Sequence, residues 1–229
     1  ICPLLKSYGI LTVVDSVSAM FGEEVRADDF QIDLLCGGSQ KAVSAPPGLT
    51  FVTISPNAWE TMKKRKQRIV SFYANLMAFD GYFEKQWFPY TMPVSDIRGL
   101  RAALENIKAD PDILKRHARI AGAVRKALTD CGLKLHTHDG WCNTVSVFDV
   151  PKETSSAAIL GALRQDHNLM LAGSFDVLEG QVIRIGHMGE NAREEKLAAV
   201  MKALDQVLAK LGVPLNGSLE KAYRNALAD

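Results

Sequence analysis

The sequence contains no apolar run of the roughly 18 residues that a membrane-spanning helix needs, so no span is expected. It has no excess charge of either sign. Its 27 Lys and Arg against 26 Asp and Glu leave a formal +1, which removes any global attraction to nucleic acid or an anionic membrane. The four cysteines, Cys2, Cys36, Cys131 and Cys142, form no CxxC pair and no even disulfide framework; free thiols in a reducing cytoplasm are expected. There is no internal repeat and no low-complexity segment. The opening ICPLLKSYGI lacks a basic start leading into an apolar stretch and does not read as a signal peptide. It reads instead as the end of a helix entering a strand, so residues are expected to precede Ile1. What is present is apolar material: 47% hydrophobic residues can build the core of one large domain or two small ones.

Strand and helix signals alternate at first. Residues 10–14, ILTVV, form a β-branched run expected as a strand buried on both faces. IDLLCGG (32–38) and LTFVTIS (49–55) read as two more strands, and Pro56 marks a helix start. A helix over 94–107 has Ser95 as its expected cap and Ile97, Leu100, Leu104 and Ile107 on one face. After Pro111 the pattern becomes a small α+β layer. A long helix ends at Gly132, strands lie near LKLHT and NTVSVFDV, and a helix follows at SSAAILGALRQDHN. Short strands at LMLAG and QVIRIGHM and two final helices complete it. The spacing predicts an α/β region over 1–108 and a smaller α+β domain over 109–229.

Three residues carry candidate chemistry. Asp15 follows ILTVV directly, and ligands of parallel sheets bind beyond the carboxyl ends of strands. Taken alone, it better suits a strand-end carboxylate capping a nearby loop. Lys41 sits in GGSQKAVSAPPG, between an apolar strand and a stiff turn, where an ammonium is costly to bury unless its charge can be lost. Gly37 and Gly38 allow close backbone approach, and Ser39 and Gln40 offer hydrogen bonds suited to an anion. A lysine held this way can form a Schiff base with an aldehyde. Arg184 interrupts the apolar strand QVIRIGHMG, and its planar guanidinium suits either a carboxylate ligand or a structural ion pair.

VVDSVSAMFG, GGSQKAVSAPPGL, YTMPVSDIRGLRAALENI and IRIGHMGE, in this order along essentially the whole chain, together resemble the class V aminotransferases. The nearest group is the alanine–glyoxylate and serine–pyruvate aminotransferases, with pyridoxamine–pyruvate and ureidoglycine–glyoxylate aminotransferases as relatives. The resemblance implies the C-terminal part of a fold type I, pyridoxal-phosphate-dependent transferase: the remainder of a large mixed-sheet α/β domain over 1–108 and a small α+β domain over 109–229. It implies that Asp15 pairs with the pyridine nitrogen of pyridoxal 5'-phosphate, that Val17 packs on the ring, and that Lys41 carries the aldehyde as a Schiff base. Gln40 would bond the phosphate, and Thr91 would reach the phosphate of a neighbouring subunit in a homodimer whose site lies at the interface. Arg184 would bind the substrate α-carboxylate. Gln40 also separates the chain from cysteine desulfurases, which carry a histidine before the lysine. Two features depart from the pattern. The small-residue phosphate loop and the stacking aromatic of longer family members would lie before Ile1. Phe88 also stands where a tyrosine often precedes the threonine by three residues, with Tyr90 as a possible substitute.

The implied reaction is ping-pong transfer of an amino group from a small, alanine- or serine-like amino acid to a keto acid such as pyruvate or glyoxylate. A lyase on the same scaffold, or a non-catalytic fragment or interaction subunit, are the alternatives. The remaining eye-catching residues have bland readings. His136, His138 and Cys142 match no zinc spacing. KKRKQR (63–68) reads as a solvated helix end. His187 suits a satisfied structural histidine as well as a site-lining one. FDGYFEKQWFPY (79–90) suits core packing as well as a substrate-mouth or dimer segment.

Overall fold

The structure is a computed structural model and describes residues 1–228. The chain forms two compact units, one of residues 1–18 with 25–106 and one of residues 19–24 with 107–228.

In the first unit a short helix α1 (Cys2–Ser7) leads into strand β1 (Val13–Asp15). Strands β2 (Leu34–Gly38) and β3 (Thr50–Ile54) complete a mixed sheet in the order β1-β2-β3, with β1 parallel to β2 and β2 antiparallel to β3. The expectation of a strand buried on both faces fails for ILTVV. Only its end is a strand, Thr12 is buried, and Val13 is 70% exposed. β1 stands at one end of the strand order among the described residues, with Val13 and Asp15 exposed and Val14 half-buried. The buried Asp33 ties the sheet's other end together. Its Oδ2 accepts from Thr12 N at 3.1 Å and its Oδ1 from Ser55 Oγ at 2.9 Å, while its own N donates to Thr12 Oγ1 at 3.0 Å. Ser55 Oγ also accepts from Ala58 N, capping helix α2 (Pro56–Lys63), which has Pro56 in the first-turn position that needs no N–H.

Helix α3 (Val94–Lys108) starts two residues earlier than a cap at Ser95 would allow. Ser95 lies inside the helix, and the Pro93 carbonyl takes the first helical bond, from Ile97 N at 3.0 Å. The glycine of α3 has a packing role. A Cβ at Gly99 would stand 3.2 Å from Pro46, so the proline turn seats against a helix surface with no side chain in the way.

The second unit is a helical layer over a β-ribbon. Helix α4 (Ile113–Asp130) ends in a left-handed Gly132, φ +88°, with Leu133 N bonded to Leu128 O and Gly132 N to Thr129 O, as in a Schellman closure. Strands β4 (Val145–Asp149) and β5 (Val182–Gly186) pair antiparallel. The segments LKLHT and LMLAG, expected as strands, are reduced to single bridges, Leu135 to Phe148 and Ala172 to Arg184. Helix α5 (Ser156–His167) is capped by Ser155 and ended by Asn168 in the left-handed region. Helices α6 (Glu194–Lys210) and α7 (Leu219–Ala228) close the layer. Asp205 of α6 caps α7, accepting from Leu219 N at 2.7 Å and Glu220 N at 3.1 Å. The core is the inner face of the ribbon, Phe148, Ile183 and Ile185, against Ile120, Val124, Leu128, Met201 and Leu204 of the helices.

Candidate active site

Because β1 and β2 run parallel, their carboxyl ends leave the same edge of the sheet. Register makes them level: Asp15 pairs with Cys36. Ser16 fixes the exit of β1, its N and its Oγ both donating to Cys36 O at 2.8 Å. Asp15 is exposed at that edge. Its Oδ1 accepts from Val17 N at 2.9 Å, a local turn of the capping kind, and its Oδ2 has no partner among the described residues.

The chain leaving β2 turns through Gly38-Ser39-Gln40-Lys41. Val17 and Gln40 close on Gly38 from two sides: a Cβ there would stand 2.7 Å from Gln40 Oε1 and 3.4 Å from Val17 Cγ1. A side chain at 38 would have to push the Gln40 amide aside. Ser39 does not serve an anion. It is buried, its Oγ donates to Pro46 O at 2.6 Å and accepts from Leu49 N at 3.3 Å, and its carbonyl accepts from Ala45 N. Those bonds lock the proline turn to the end of β2. Lys41 opens the next turn, its carbonyl accepting from Ser44 N at 2.9 Å, with Ala42 and Val43 buried beneath. The lysine is half-buried, and its Nζ has no hydrogen-bond or ion-pair partner among the described residues. The fold thus brings Asp15, Val17, Gln40 and Lys41 to one sheet edge.

Thr91 is exposed just ahead of α3. Tyr90 does not stand in as a free hydroxyl. It sits in an aromatic cluster with Phe72, Tyr73, Phe79 and Phe88, and its OH bonds the carbonyls of Phe72 (2.9 Å) and Tyr73 (3.2 Å).

In the second unit Arg184 is half-buried on the outer face of β5. Its Nε donates to Gly173 O at 2.5 Å and its guanidinium lies 6.0 Å from the Phe175 ring. No carboxylate pairs with it among the described residues, so the two Nη groups are open for a planar anion. His187 is fully buried and does not line a surface site. Its Nδ1 lies 3.1 Å from Asn143 O, which can only accept, so Nδ1 carries the proton; Nε2, 2.8 Å from Ser146 Oγ, is then the acceptor. Burial pushes this imidazole down to about 4, outweighing the bond to Asn143 O, which favours the charged ring. His117 is a second buried neutral imidazole, with Nδ1 at 2.7 Å from Ile113 O and Nε2 accepting from Gly189 N at 2.9 Å; burial lowers it too. The Glu23 carboxylate holds Asn143 through both its backbone N and its Nδ2, the latter at 3.1 Å.

Sequence reasoning missed Asp33, Ser146 and Glu23. Ser146 had one signal, a polar residue at an inward position of an alternating strand. Glu23 and Asp33 had none, because their partners lie 120 and 21 to 24 residues away. His136, among the metal candidates, pairs with Asp149 at 2.8 Å, which also binds Lys134.

A carboxylate, an amine without a partner, a primary amide and a glycine cradle at one edge fit pyridoxal phosphate. The donor types are those that hold a pyridine nitrogen, an aldehyde and a phosphate. Comparison with known proteins agrees. The family model for Aminotransferase class-V matches residues 1–133. An uncharacterized aminotransferase of Methanocaldococcus jannaschii is 35% identical over 219 residues, covering 94% of this chain and 56% of that protein. Serine–glyoxylate aminotransferase of Arabidopsis thaliana is 35% identical over 210 residues, covering 90% and 52%. The crystal structure of pyridoxamine–pyruvate aminotransferase from Mesorhizobium loti superposes with a TM-score of 0.93 at 27% identity, over 100% of this chain and 60% of that one. The chain spans about half the length of the curated relatives it matches. Its fold is therefore part of the fold type I transferase architecture, and the chain belongs to the class-V aminotransferase family.

Proposed function

We propose that this chain carries the lysine-bearing part of a pyridoxal-phosphate-dependent aminotransferase. The observation that carries the reading is that the partnerless Lys41 amine, three residues past β2, and the open Oδ2 of Asp15, at the end of β1 and level with Cys36 of β2, leave the same edge of the sheet. Lys41 Nζ would hold the cofactor covalently, Asp15 its pyridine nitrogen, Gln40 its phosphate, and Val17 would pack on the ring. When bound, the group supplies an electron sink for bonds broken at the substrate α-carbon.

The remaining work falls to the chain's own residues. Arg184 offers two parallel Nη donors to the substrate α-carboxylate, with its Nε already fixed by Gly173 O. Once the incoming amino group has displaced it from the cofactor, the Lys41 amine would be free to take the α-proton and hand it back during the exchange. The Asp15 carboxylate would hold a proton on the cofactor's ring nitrogen. A small amino acid is the proposed donor and pyruvate or glyoxylate the acceptor, in line with the substrates named for the Arabidopsis and Mesorhizobium relatives. Ping-pong kinetics follow.

The domains are proposed as 1–108, cofactor-binding, and 109–229, small α+β. The active form is proposed as a homodimer in the cytoplasm, in which Thr91 serves the partner's phosphate site. Support for a dimer is the row of exposed apolar side chains Val70, Phe72, Tyr73, Phe83 and Trp87, which water does not favour. No helix among the described residues is long and apolar enough to cross a membrane.

Borohydride reduction with pyridoxal phosphate, followed by peptide mapping, tests the assignment. The expected label is on Lys41, and Lys41→Ala should lose both the label and the activity. Label elsewhere, or turnover by Lys41→Ala at the wild-type rate, overturns it. Product formation without a keto acid acceptor would point to a lyase. Arg184→Lys should raise the amino-acid KM more than it weakens cofactor binding, because the planar fork is lost.

A further inference from the structure

The β4–β5 ribbon that presents Arg184 has only five residue pairs, and a two-stranded ribbon is marginal in isolation. Its Asp149–Val182 end is fastened on the outside: Val150 N bonds Gln181 O at 2.8 Å, and Asp149 is held by Lys134 and His136. Its Val145–Gly186 end contains a glycine with no side chain to pack, which contributes no side-chain contact to hold that end. That end is only two residues from Arg184. What fastens it is an imidazole. His187 N donates to Thr144 O, its Nδ1–H donates to Asn143 O, and its Nε2 accepts from Ser146 Oγ. The His187 side chain at β5's exit thus holds Asn143 and Ser146 at β4's entrance, and its backbone N holds Thr144 between them. Behind it, Glu23 holds Asn143, and His117 holds the following turn through Gly189 N. Strand alternation puts His187 and Ser146 on the inner face and Arg184 on the outer one, so the imidazole touches no ligand of the guanidinium.

We infer that His187 is a positioning residue: its imidazole staples the ends of β4 and β5 through Ser146 and Asn143, and thereby fixes where Arg184 presents its open Nη pair to a substrate carboxylate. This rests on the reading of Arg184 as the carboxylate clamp. The staple acts on the strand register and on the Arg184 N to Ala172 O bond of 2.7 Å, not on the chemistry at Lys41. It follows that losing it weakens substrate binding and leaves the cofactor undisturbed.

The test uses Ser146→Ala, a small deletion in the staple, in the pyridoxal-phosphate-loaded protein. With L-alanine as donor and glyoxylate as acceptor, the KM for L-alanine should rise about fivefold, the effect of losing one neutral hydrogen bond. The kcat and the cofactor absorbance band should stay at wild-type values. In an Arg184→Lys background the same substitution should add nothing further to KM. A merely structural serine would lower thermal stability and leave KM alone, or multiply KM by the same factor in both backgrounds; either result overturns the inference. Amide hydrogen exchange provides a readout independent of turnover: exchange at Arg184 and His187 should accelerate in Ser146→Ala. His187→Gln, which keeps an acceptor toward Ser146 but loses the Asn143 contact, should give a smaller acceleration and serves if Ser146→Ala does not fold. Unchanged exchange at Arg184 in the folded variant sinks the staple. Failure of the wild type to transaminate L-alanine sinks the functional reading instead, while the exchange result still decides the staple.

Discussion

The second unit seals Ile120, Val124, Leu128, Phe148, Ile183, Ile185, Met201 and Leu204 from water in one continuous core, whereas the first buries mainly small side chains, Ala42, Val43, Ala45, Ala58 and Ala103, with Ile32 and Leu35. The first unit compensates with polar locks: Asp33 joins Thr12, Ser55 and Asn57, and Ser39 joins Pro46, Leu49 and Ala45. It also leaves Val70 93% exposed and Phe83 79% exposed. The difference teaches where each unit draws its rigidity. Among the described residues, packing stabilises the unit that carries Arg184, and directional hydrogen bonds hold the turn that carries Lys41.

The comparison can be broken most directly by truncation. Phe148→Ala should destabilise by about 3–5 kcal/mol, the usual cost of emptying a buried aromatic site. Val43→Ala, under the lysine turn, should cost only about 1.5 kcal/mol for the two methyl groups lost. Urea unfolding of both variants measures this, and equal losses would show that the first unit depends on packing as heavily as the second.

Acid should separate the units next. His187 is held neutral by burial, at about 4 when folded against 6.5 when unfolded, so the unfolded state binds the proton first. Its contribution is complete above pH 6.5 and is lost as pH falls toward 4, on the order of 3 kcal/mol in all. His117 shifts in the same direction for the same reason. Asp33 behaves differently: burial alone would raise it, but bonds from Ser55, Thr12 and Asn57 outweigh burial and hold it below 3.8. Its contribution persists down to about pH 4 and fades only below that. Chemical denaturation from pH 7 to 4, repeated with His187→Gln, checks the order. A pH-independent midpoint would contradict the buried neutral imidazoles.

Asp33→Ala sharpens the view of the first unit. It removes the acceptor for Thr12 N and Ser55 Oγ, and buried donors left unpaired cost about 1–3 kcal/mol. The smallest effect is expected at Tyr223, whose buried OH has no partner among the described residues and whose ionisation burial pushes upward. Tyr223→Phe should change the unfolding free energy by less than about 0.5 kcal/mol or stabilise the protein. A loss above 1 kcal/mol would reveal a bond that the buried hydroxyl makes in solution.

Much of the site was legible because its signals are local. A carboxylate at the end of a β-branched run, two glycines before Ser-Gln-Lys and a Pro-Pro-Gly turn are neighbours in sequence, and the fold sets them at one edge. Ser95 was misread because a serine near a helix start resembles a cap, while Pro93 already supplies the first acceptor. Ser39 was misread because its hydroxyl could equally face a ligand or the Pro46 carbonyl, and only the path of the turn chooses. ILTVV was misread because hydropathy states that a strand prefers burial, not which of its faces is covered.

The sequence by itself determined the helices, the strand ends and the chemical types gathered after β1 and β2, because capping, turn and alternation preferences act over a few residues. Tertiary structure alone decided that Asp33 ties the sheet, that His187 grips β4, and that the Nη groups of Arg184 stay open. Those outcomes depend on which distant hydrogen-bonding groups meet in the absence of water, and no local preference encodes that pairing.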